Sequence, residues 1–317
     1  MQRAGLAGGR AAIGLCVLPL CFLIVRQCLP GQTASQPEIP RITVDVNLVL
    51  VHATVRDRQG GFVSGLRKEN FKVFEAGRAE AIRVLQDEDV PVAAGLIVDN
   101  SGSMGRKRKD VTAAALVFAR ASNPRDELFV VNFNERVSFG LQDTEAFSAS
   151  AAKLEAALNG VPASGRTALY DAIDAGLAHL GKSSLEKKVL LVVSDGGDNA
   201  SRHTLNQVLE SAARSQAMIY AIGLFDENDP DRNPGVLKRL ARVTGGESYL
   251  PAETSQVAPI CERIAQEIRH QYALGYVSSN QKLDNSFRTI QVVAKGPHGE
   301  KLLVRTRSGY IASPKLP

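Results

Sequence analysis

Two different patterns of apolar residues divide the chain. Residues 42–57, ITVDVNLVLVHATVRD, alternate between apolar and polar positions, which is typical of a strand with one buried face. From Pro91 the apolar residues instead come in continuous runs such as AAGLIV and KKVLLVV, which favour strands buried on both faces of a parallel sheet. Segments with helical spacing lie between these runs. This alternation of strands and helices predicts a doubly wound, mostly parallel α/β sheet over residues 91–271.

Beyond residue 271 the sequence returns to short β segments: YALGYVS, FRTIQVVAK and KLLVRTRSGYIA. Residues 41–90 are also mostly β, and FKVFEAGRAEAIRVL is interpreted as two short strands around Ala76 and Gly77. We therefore expect residues 41–90 and 272–313 to pair into one small domain resembling a β-sandwich. The α/β domain would then be inserted between the two halves of this β domain.

Residues 1–36 have the layout of a secretory signal peptide. Two arginines come first, residues 11–25 are uncharged and apolar, and the small-residue stretch GQTASQ follows. The apolar stretch is shorter than the about 20 residues that a membrane-spanning helix needs, so we expect export with cleavage near Ala34. An uncleaved N-terminal anchor that extends through Leu29 is the alternative. Either way, the protein is expected in the periplasm, at the cell envelope or outside the cell.

Composition narrows the possible classes of function. The chain has 317 residues, of which 44% are hydrophobic, as expected of a globular protein with a substantial core. A net charge of +5 with 5% aromatic residues, and no basic motif interleaved with aromatics, does not indicate nucleic-acid binding. Three of the four cysteines lie in the N-terminal segment, which leaves Cys261 alone in the body. The fold is therefore expected to depend on its core and on metal, without disulfides.

Polar loops follow two of the predicted buried strands. Residues 99–104, DNSGSM, follow AAGLIV, and residues 194–199, SDGGDN, follow KKVLLVV. A third polar stretch, SGRT at residues 164–167, opens the next helix. Ligands bind at the carboxyl ends of the strands in open α/β sheets, so we expect the three loops to meet at one edge of the sheet.

Together the three loops offer two carboxylates and three hydroxyls: Asp99, Ser101, Ser103, Thr167 and Asp195. Such hard oxygen ligands suit Mg²⁺, Mn²⁺ or Ca²⁺, and the set lacks the His or Cys that Zn²⁺ favours. By itself DNSGSM would also fit a polar turn that caps the following helix. The presence of a threonine and a second aspartate in the other loops favours the metal site.

These residues resemble the metal-ion-dependent adhesion site (MIDAS) of von Willebrand factor A (VWA) domains, which have a Rossmann-like fold. The pattern of that site is Asp-x-Ser-x-Ser, then a Thr, then an Asp, and all five positions are filled here in order. The flanking sequences VRDRQGGFVSGLRKENFKVFEAG and QYALGYVSSN resemble those of the bacterial VWFA-related family first described from acidobacterial genomes. The resemblance thus covers about residues 41 to 313.

The resemblance implies a role for each residue of the site. Ser101 and Ser103 would bind the cation directly, and Thr167 would bind it directly or through water. Asp99 and Asp195 would act mostly through water. The cation would then keep an open position that accepts a Glu or Asp side chain of a partner protein.

Other residues of these loops carry separate predictions. Gly102 is expected to let the first loop turn tightly around the ion. RKRK, residues 106–109, opens the next helix, where its charge opposes the helix dipole. It is interpreted either as a solvated helix face or as a positive rim that attracts an acidic ligand. Asp198 and Asn199 are interpreted as a turn or helix cap.

The sequence does not indicate an enzyme. Residues 176–183, GLAHLGKS, match the phosphate-loop pattern GxxxxGK[ST], but that loop needs a strand before it and a helix after it, and here the order is reversed. The five histidines have no metal-ligand spacing, and no nucleophile lies beside a candidate base.

The leading hypothesis is a divalent-metal-dependent protein-binding or adhesion module of the bacterial cell envelope. The first alternative is a structural or assembly subunit of an envelope complex, in which the metal only stabilises the fold. The second alternative is a nucleotide hydrolase that uses GLAHLGKS. No nucleic-acid partner is expected, and contact with a membrane would come through an uncleaved N-terminal anchor.

Overall fold

The computed structural model describes residues 48–87, 89–225 and 232–314. The predicted signal peptide or anchor and the first residues of the predicted β domain lie outside these ranges. The strands in chain order are β1 (Leu48–Arg56), β2 (Phe71–Glu75), β3 (Arg78–Glu80), β4 (Ile82–Gln86), β5 (Val92–Asp99), β6 (Glu127–Phe133), β7 (Val137–Phe139), β8 (Lys187–Ser194), β9 (Met218–Gly223), β10 (Ser248–Tyr249), β11 (Gln271–Val277), β12 (Phe287–Ala294), β13 (Leu303–Thr306) and β14 (Gly309–Ile311). The helices are α1 (Arg108–Arg120), α2 (Ala151–Asn159), α3 (Leu169–Leu180), α4 (Leu205–Arg214), α5 (Pro234–Thr244) and α6 (Val257–Arg269).

The centre of the fold is a six-stranded sheet with the order β10-β9-β8-β5-β6-β7. Neighbouring strands from β10 to β6 run parallel, and β7 at the edge pairs antiparallel with β6. Every residue of β5 is buried, as its continuous apolar sequence predicts for a strand covered on both faces. Helices α1, α2 and α6 pack on one face of the sheet, and α3, α4 and α5 pack on the other.

The chain leaves β5 and β8 in opposite directions. From β5 it passes through α1 on one face to β6, whereas from β8 it passes through α4 on the other face to β9. Such a reversal opens a crevice outside the carboxyl ends of the two strands, and ligands bind there in open α/β sheets. The loops after β5 and β8 therefore border this crevice.

Two antiparallel sheets, with the orders β13-β1-β11-β4 and β14-β12-β2-β3, come from the segments on either side of the central sheet in the sequence. Side chains from both sheets, including Val51, Tyr272, Val73 and Val292, share one hydrophobic core. Two sheets packed face to face in this way form a small β-sandwich. The predicted fold class, a doubly wound and mostly parallel sheet combined with a sandwich-like β domain, is confirmed.

The sandwich contains more strands than the sequence pattern predicted. FKVFEAGRAEAIRVL forms β2, β3 and β4 instead of two strands, and KLLVRTRSGYIA forms β13 and β14 instead of one. In both segments the chain crosses between sheets, because β3 and β4 lie in different sheets, as do β13 and β14. Alternation of apolar and polar residues continues through such a crossing, so the pattern gives no sign of it.

Two of the weighed motifs have clear positions in the fold. Helix α1 begins at Arg108, so Arg106 and Lys107 belong to the turn before it and RKRK does not open the helix as a unit. Helix α3 contains Gly176 and ends before Gly181, and β8 follows. The segment GLAHLGKS therefore has a helix before it and a strand after it, the opposite of a phosphate loop.

The described residues, which begin at Leu48, pack as one compact unit. A buried carboxylate joins its two parts, since Glu267 of α6 accepts a hydrogen bond from Thr54 of β1 at 3.1 Å and pairs with Arg56 of the same strand. Within the described residues, no helix combines the length and the apolar character needed to cross a membrane.

Candidate metal centre

The loop after β5 begins with a carboxylate that hydrogen bonds hold in place. Asp99 ends β5 and is 2% exposed. Its Oδ1 accepts a hydrogen bond from the backbone N–H of Ser101 at 2.8 Å, and its Oδ2 accepts one from the hydroxyl of Ser194 at 2.6 Å. Ser194 ends β8, which lies beside β5 in the sheet. The ends of the two central parallel strands are thus bonded to each other through these side chains.

Asp195, the first residue after β8, connects the third loop to the first. The hydroxyl of Ser103 donates to Asp195 Oδ2 at 2.6 Å, and Ser103 Oγ lies 3.1 Å from Ser101 Oγ. Asp195 is 2% exposed, and its Oδ1 accepts the N–H of Gly197 at 3.0 Å. Four of the five predicted site residues therefore belong to one hydrogen-bonded network: Asp99, Ser101, Ser103 and Asp195.

Thr167, the fifth residue, lies in the loop before α3 and is buried. Its N–H donates to Asn199 Oδ1 at 3.0 Å, and its carbonyl accepts the N–H of Asn199 at 3.0 Å. In the same loop the carbonyl of Gly165 accepts the N–H of Gly102 at 3.1 Å. The loop of Thr167 is thus bonded to both other loops, and the three polar stretches meet at one edge of the sheet.

Residues outside the predicted ligand set support the site. Asn100 is fully buried, and its Nδ2 donates to Oδ1 of Asn132 on β6 at 3.0 Å. Ser194 orients Asp99, and Asn199 holds Thr167, a larger role than the turn or cap assigned to it. Asp198 does accept the N–H of a nearby residue, Ser201, at 3.1 Å, as in the predicted turn. A buried strand that ends in consecutive polar residues was the available signal for Asn100 and Ser194.

Gly196, unlike Gly102, is a glycine that the backbone of the site requires. Gly102 lacks a positive φ, and a Cβ there would be in ordinary contact, 3.6 Å from the carbonyl oxygen of Gly165. The prediction for Gly102 is wrong because the loop continues as a 3₁₀ turn, Gly102–Met104, which other residues also adopt. Gly196 has a φ of +78°, and a Cβ would lie 2.4 Å from the carbonyl oxygen of Asn233.

Burial dominates the electrostatics of Asp99. Loss of solvent raises its pKa to about 6, and the charge of Asp195 acts in the same direction. Hydrogen bonds from Ser101 and Ser194 oppose the rise in pKa because they stabilise the charged form. Ionisation of Asp99 would therefore place a negative charge in a buried site.

The residues present fit a divalent cation. Neither Asp99 nor Asp195 forms an ion pair with a basic side chain of residues 48–87, 89–225 or 232–314, although buried carboxylates are normally paired or bound to metal. The described chain holds no cluster of three or more His, Cys, Asp or Glu suited to a metal ion. A cation bound beside the two carboxylates would take further protein oxygens from neutral groups, such as the hydroxyls of Ser101 and Ser103, which Mg²⁺, Mn²⁺ and Ca²⁺ accept.

The basic residues beside the site divide into two pairs. Lys107 Nζ donates to the carbonyl of Leu224 at 2.7 Å, and Arg108 Nη2 donates to the carbonyl of Leu158 at 2.9 Å. Arg106 and Lys109 are exposed. The first pair therefore supports the protein itself, and the second pair is accessible to solvent or to a ligand.

Comparison with known proteins agrees with this architecture. Residues 95–197 match the von Willebrand factor type A domain family, so the chain contains a VWA domain. These residues include all five members of the predicted site. A comparison with curated proteins gives no significant match.

Solved structures share the fold at low sequence identity. One is proximal thread matrix protein 1 from the mussel byssus with a zinc-occupied MIDAS motif, with 15% identity and a TM-score of 0.50, over 60% of this chain and 48% of that chain. A von Willebrand factor type A protein from Catenulispora acidiphila has 13% identity and a TM-score of 0.48, over 86% and 76% of the two chains. The vWF domain of the type V pili tip protein Mfa5 from Porphyromonas gingivalis has 14% identity and a TM-score of 0.47, over 57% and 95%.

Proposed function

We propose that the chain is a divalent-cation-dependent protein-binding module of the bacterial cell envelope, and that it captures an Asp or Glu side chain of a partner. The observation that carries this proposal is the pair of buried carboxylates, Asp99 and Asp195, without a basic partner in the described chain. The hydroxyls of Ser101 and Ser103 lie in the same network. Such a cluster holds negative charge and neutral oxygens where a hard cation can bind.

Each protein group has a distinct role in this proposal. When bound, Mg²⁺ (or Mn²⁺ or Ca²⁺) would supply an electrophilic position for the carboxylate of the partner. Ser101 and Ser103 would contact the ion directly, Thr167 would contact it directly or through water, and the two aspartates would supply charge mostly through water. Ser194 fixes the orientation of Asp99 by its hydrogen bond. The proposal involves binding without catalysis.

Three further observations support the proposal. The fold shared with the byssus protein, whose MIDAS motif holds zinc, supports a divalent ion in this VWA domain. The layout of residues 1–36 supports export or anchoring at the envelope. The flanking sequences in residues 41–90 and 272–313 support the finer assignment to the VWFA-related family of acidobacterial type.

Metal binding is tested by calorimetric titration of the protein with Mg²⁺, Mn²⁺ and Ca²⁺. We expect saturable binding to the wild type and none to Asp99→Ala, because that change removes a buried charge from the cation's surroundings. Asp143→Ala removes an exposed carboxylate elsewhere and is the matched control, with wild-type binding expected. Equal titration curves for the wild type and Asp99→Ala would contradict the proposal.

Partner capture separates the proposal from the alternative of a structural subunit. The immobilised protein is exposed to envelope extract with Mg²⁺ or with EDTA, alongside Asp99→Ala. We expect a partner that is retained with Mg²⁺, released by EDTA and not retained by the variant. A large loss of melting temperature in EDTA without any metal-dependent partner would favour a metal that only stabilises the fold.

A further inference from the structure

A cavity of about 570 Å³ lies between the start of β1, the end of α4 and strand β14. None of its lining residues belongs to the metal centre. Part of its wall is apolar and includes Leu50, Leu283, Ile311 and Pro314. Its volume lies in the range of about 300–1,000 Å³ that is usual for small-molecule sites.

Among the described residues that line this cavity, the charged ones are three arginines, without an Asp or Glu. Two of these arginines pair with carboxylates that do not line the cavity. Arg214 pairs with Glu210 at 2.8 Å, and Arg288 pairs with Glu75 at 3.4 Å and lies 4.0 Å from Asp284. The third, Arg307, pairs with no carboxylate of the described residues, so one positive charge at the cavity is uncompensated.

Arg307 is 8% exposed, and protein groups satisfy only part of its guanidinium. Its Nε donates to the carbonyl of Gly309 at 2.7 Å, and its Nη2 donates to the carbonyls of Ala213 and Ser215 at 2.7 and 3.5 Å. The last two bonds place it at the carboxyl end of α4, where a positive charge is favourable. Its Nη1 donates to no atom of the described chain.

The buried positive charge of Arg307 is not fully compensated by its protein neighbours. Burial lowers its pKa to about 10, which shows how strongly the loss of water disfavours the charge there. A buried guanidinium is normally matched by a carboxylate or phosphate, because its planar fork donates to two oxygens at once. Carbonyl groups alone supply partial charges. An anion in the cavity would supply the missing full charge.

We propose that this cavity binds an amphiphilic oxyanion, with a carboxylate or phosphate head group on Arg307 and an apolar chain along the wall formed by Leu283 and Ile311. This inference is independent of the metal centre. It assigns the β-sandwich side of the molecule a ligand of its own, and this ligand would bind equally well in the presence of EDTA.

Calorimetric titrations of the protein in EDTA, with decanoate, decyl phosphate and decanol below their micelle-forming concentrations, test the proposal. We expect saturable binding of decanoate or decyl phosphate, and the tighter of the two identifies the head group. Decanol should bind about tenfold more weakly or not at all, because it lacks the charge that pairs with Arg307. Binding of decanol as tight as that of both anions, or no binding of either anion, would overturn the proposal.

Two leucine variants locate the binding. Leu283→Glu places a carboxylate on the apolar wall, where it repels the anion and competes for Arg307, so we expect affinity to fall about tenfold or more. Leu250→Glu is the matched control, because Leu283 and Leu250 are 41% and 39% exposed and Leu250 does not line the cavity. An equal loss of affinity for the anion in both variants, or no loss of affinity in either, would contradict the assignment. Arg307→Lys, which keeps the charge but lacks the planar fork, should weaken binding while the protein remains folded.

Discussion

At the junction between the central sheet and the β-sandwich, arginines pair with a buried carboxylate. At the carboxyl edge of the central sheet, two buried carboxylates have no basic partner among the described residues. At the junction, Glu267 is 0% exposed and accepts hydrogen bonds from Thr54 at 3.1 Å and from Tyr220 at 2.6 Å. Arg56 and Arg305 provide its positive partners. The charge of this carboxylate is therefore matched by basic side chains of the protein itself.

At the edge of the sheet, the hydrogen bonds are present, but no basic side chain of the described residues pairs with the carboxylates. Asp99 and Asp195 are as buried as the junction carboxylate, and hydroxyls and N–H groups surround them. An unpaired buried charge destabilises a fold, and the proposed cation would compensate this cost. The difference is that the buried carboxylate of the junction has basic partners, whereas the two carboxylates of the proposed metal site have none among the described residues.

The largest expected effect comes from removing the junction carboxylate. Glu267→Ala removes the fully buried one of the two carboxylates that Arg56 and Arg305 share and leaves them only the partly exposed Glu247. It also removes the acceptor of Thr54 and Tyr220, so we expect the free energy of unfolding to fall by about 3 kcal/mol. Urea denaturation followed by circular dichroism measures it. Glu210→Ala, which removes an exposed member of a surface pair, is the control and should change little. Equal stability of Glu267→Ala and the wild type would show that the arginines do not depend on this carboxylate.

A smaller effect is expected from pH in the metal-free protein. The pKa of Asp99 is raised to about 6 in the folded state, above the value of about 3.9 for an unfolded chain. The folded state therefore binds the extra proton, and the stability from this group is complete below about pH 4 and is lost as the pH rises to about 6. Over this pH range the free energy of unfolding should fall by about 2–3 kcal/mol.

Unfolding in EDTA at a series of pH values measures this dependence as the difference between the wild type and Asp99→Asn. The asparagine variant does not titrate at this position, so its curve should lack the loss of stability between the two pKa values. Parallel curves for the two proteins over this range would show that Asp99 is not held as a buried charge.

The smallest of these effects concerns the residue that orients Asp99. Ser194→Ala removes the hydrogen bond to Asp99 Oδ2 but leaves both aspartates, so we expect affinity for Mg²⁺ to fall about 10- to 100-fold. Calorimetry measures the change, with the exposed Ser255→Ala as control. Unchanged affinity in Ser194→Ala would mean that the site needs the charge of Asp99 but not its fixed orientation.

The sequence predicted the central sheet because continuous apolar runs and helical spacing are local patterns that a parallel sheet imposes on each strand. It also predicted the meeting of the three polar loops, since Asp99 and Asp195 follow strands whose carboxyl ends share one edge. The support around them was not predictable in the same way. The bond from Ser194 to Asp99 depends on the register of neighbouring strands, which no local pattern encodes.

Contacts between distant segments also could not be predicted from the sequence pattern. Glu267 and Arg56 meet only because α6 packs against the first strand of the sandwich, and each residue alone is an ordinary charged residue of an amphipathic element. The uncompensated charge of Arg307 likewise becomes visible only when all of its neighbours are known. Local periodicity predicts elements, whereas the matching of buried charges is a property of the assembled fold.

The most direct test of the central claim is thermal unfolding of the wild type and Asp99→Asn at pH 8, each in EDTA and in Mg²⁺. If Asp99 is a buried charge kept for a cation, the asparagine variant has the higher melting temperature in EDTA, because the cost of the charge is gone. In Mg²⁺ the wild type gains stability by binding the ion, and the variant does not. A wild type that melts at the same temperature with and without Mg²⁺, Mn²⁺ or Ca²⁺, or a variant that responds to these ions equally, would contradict the claim.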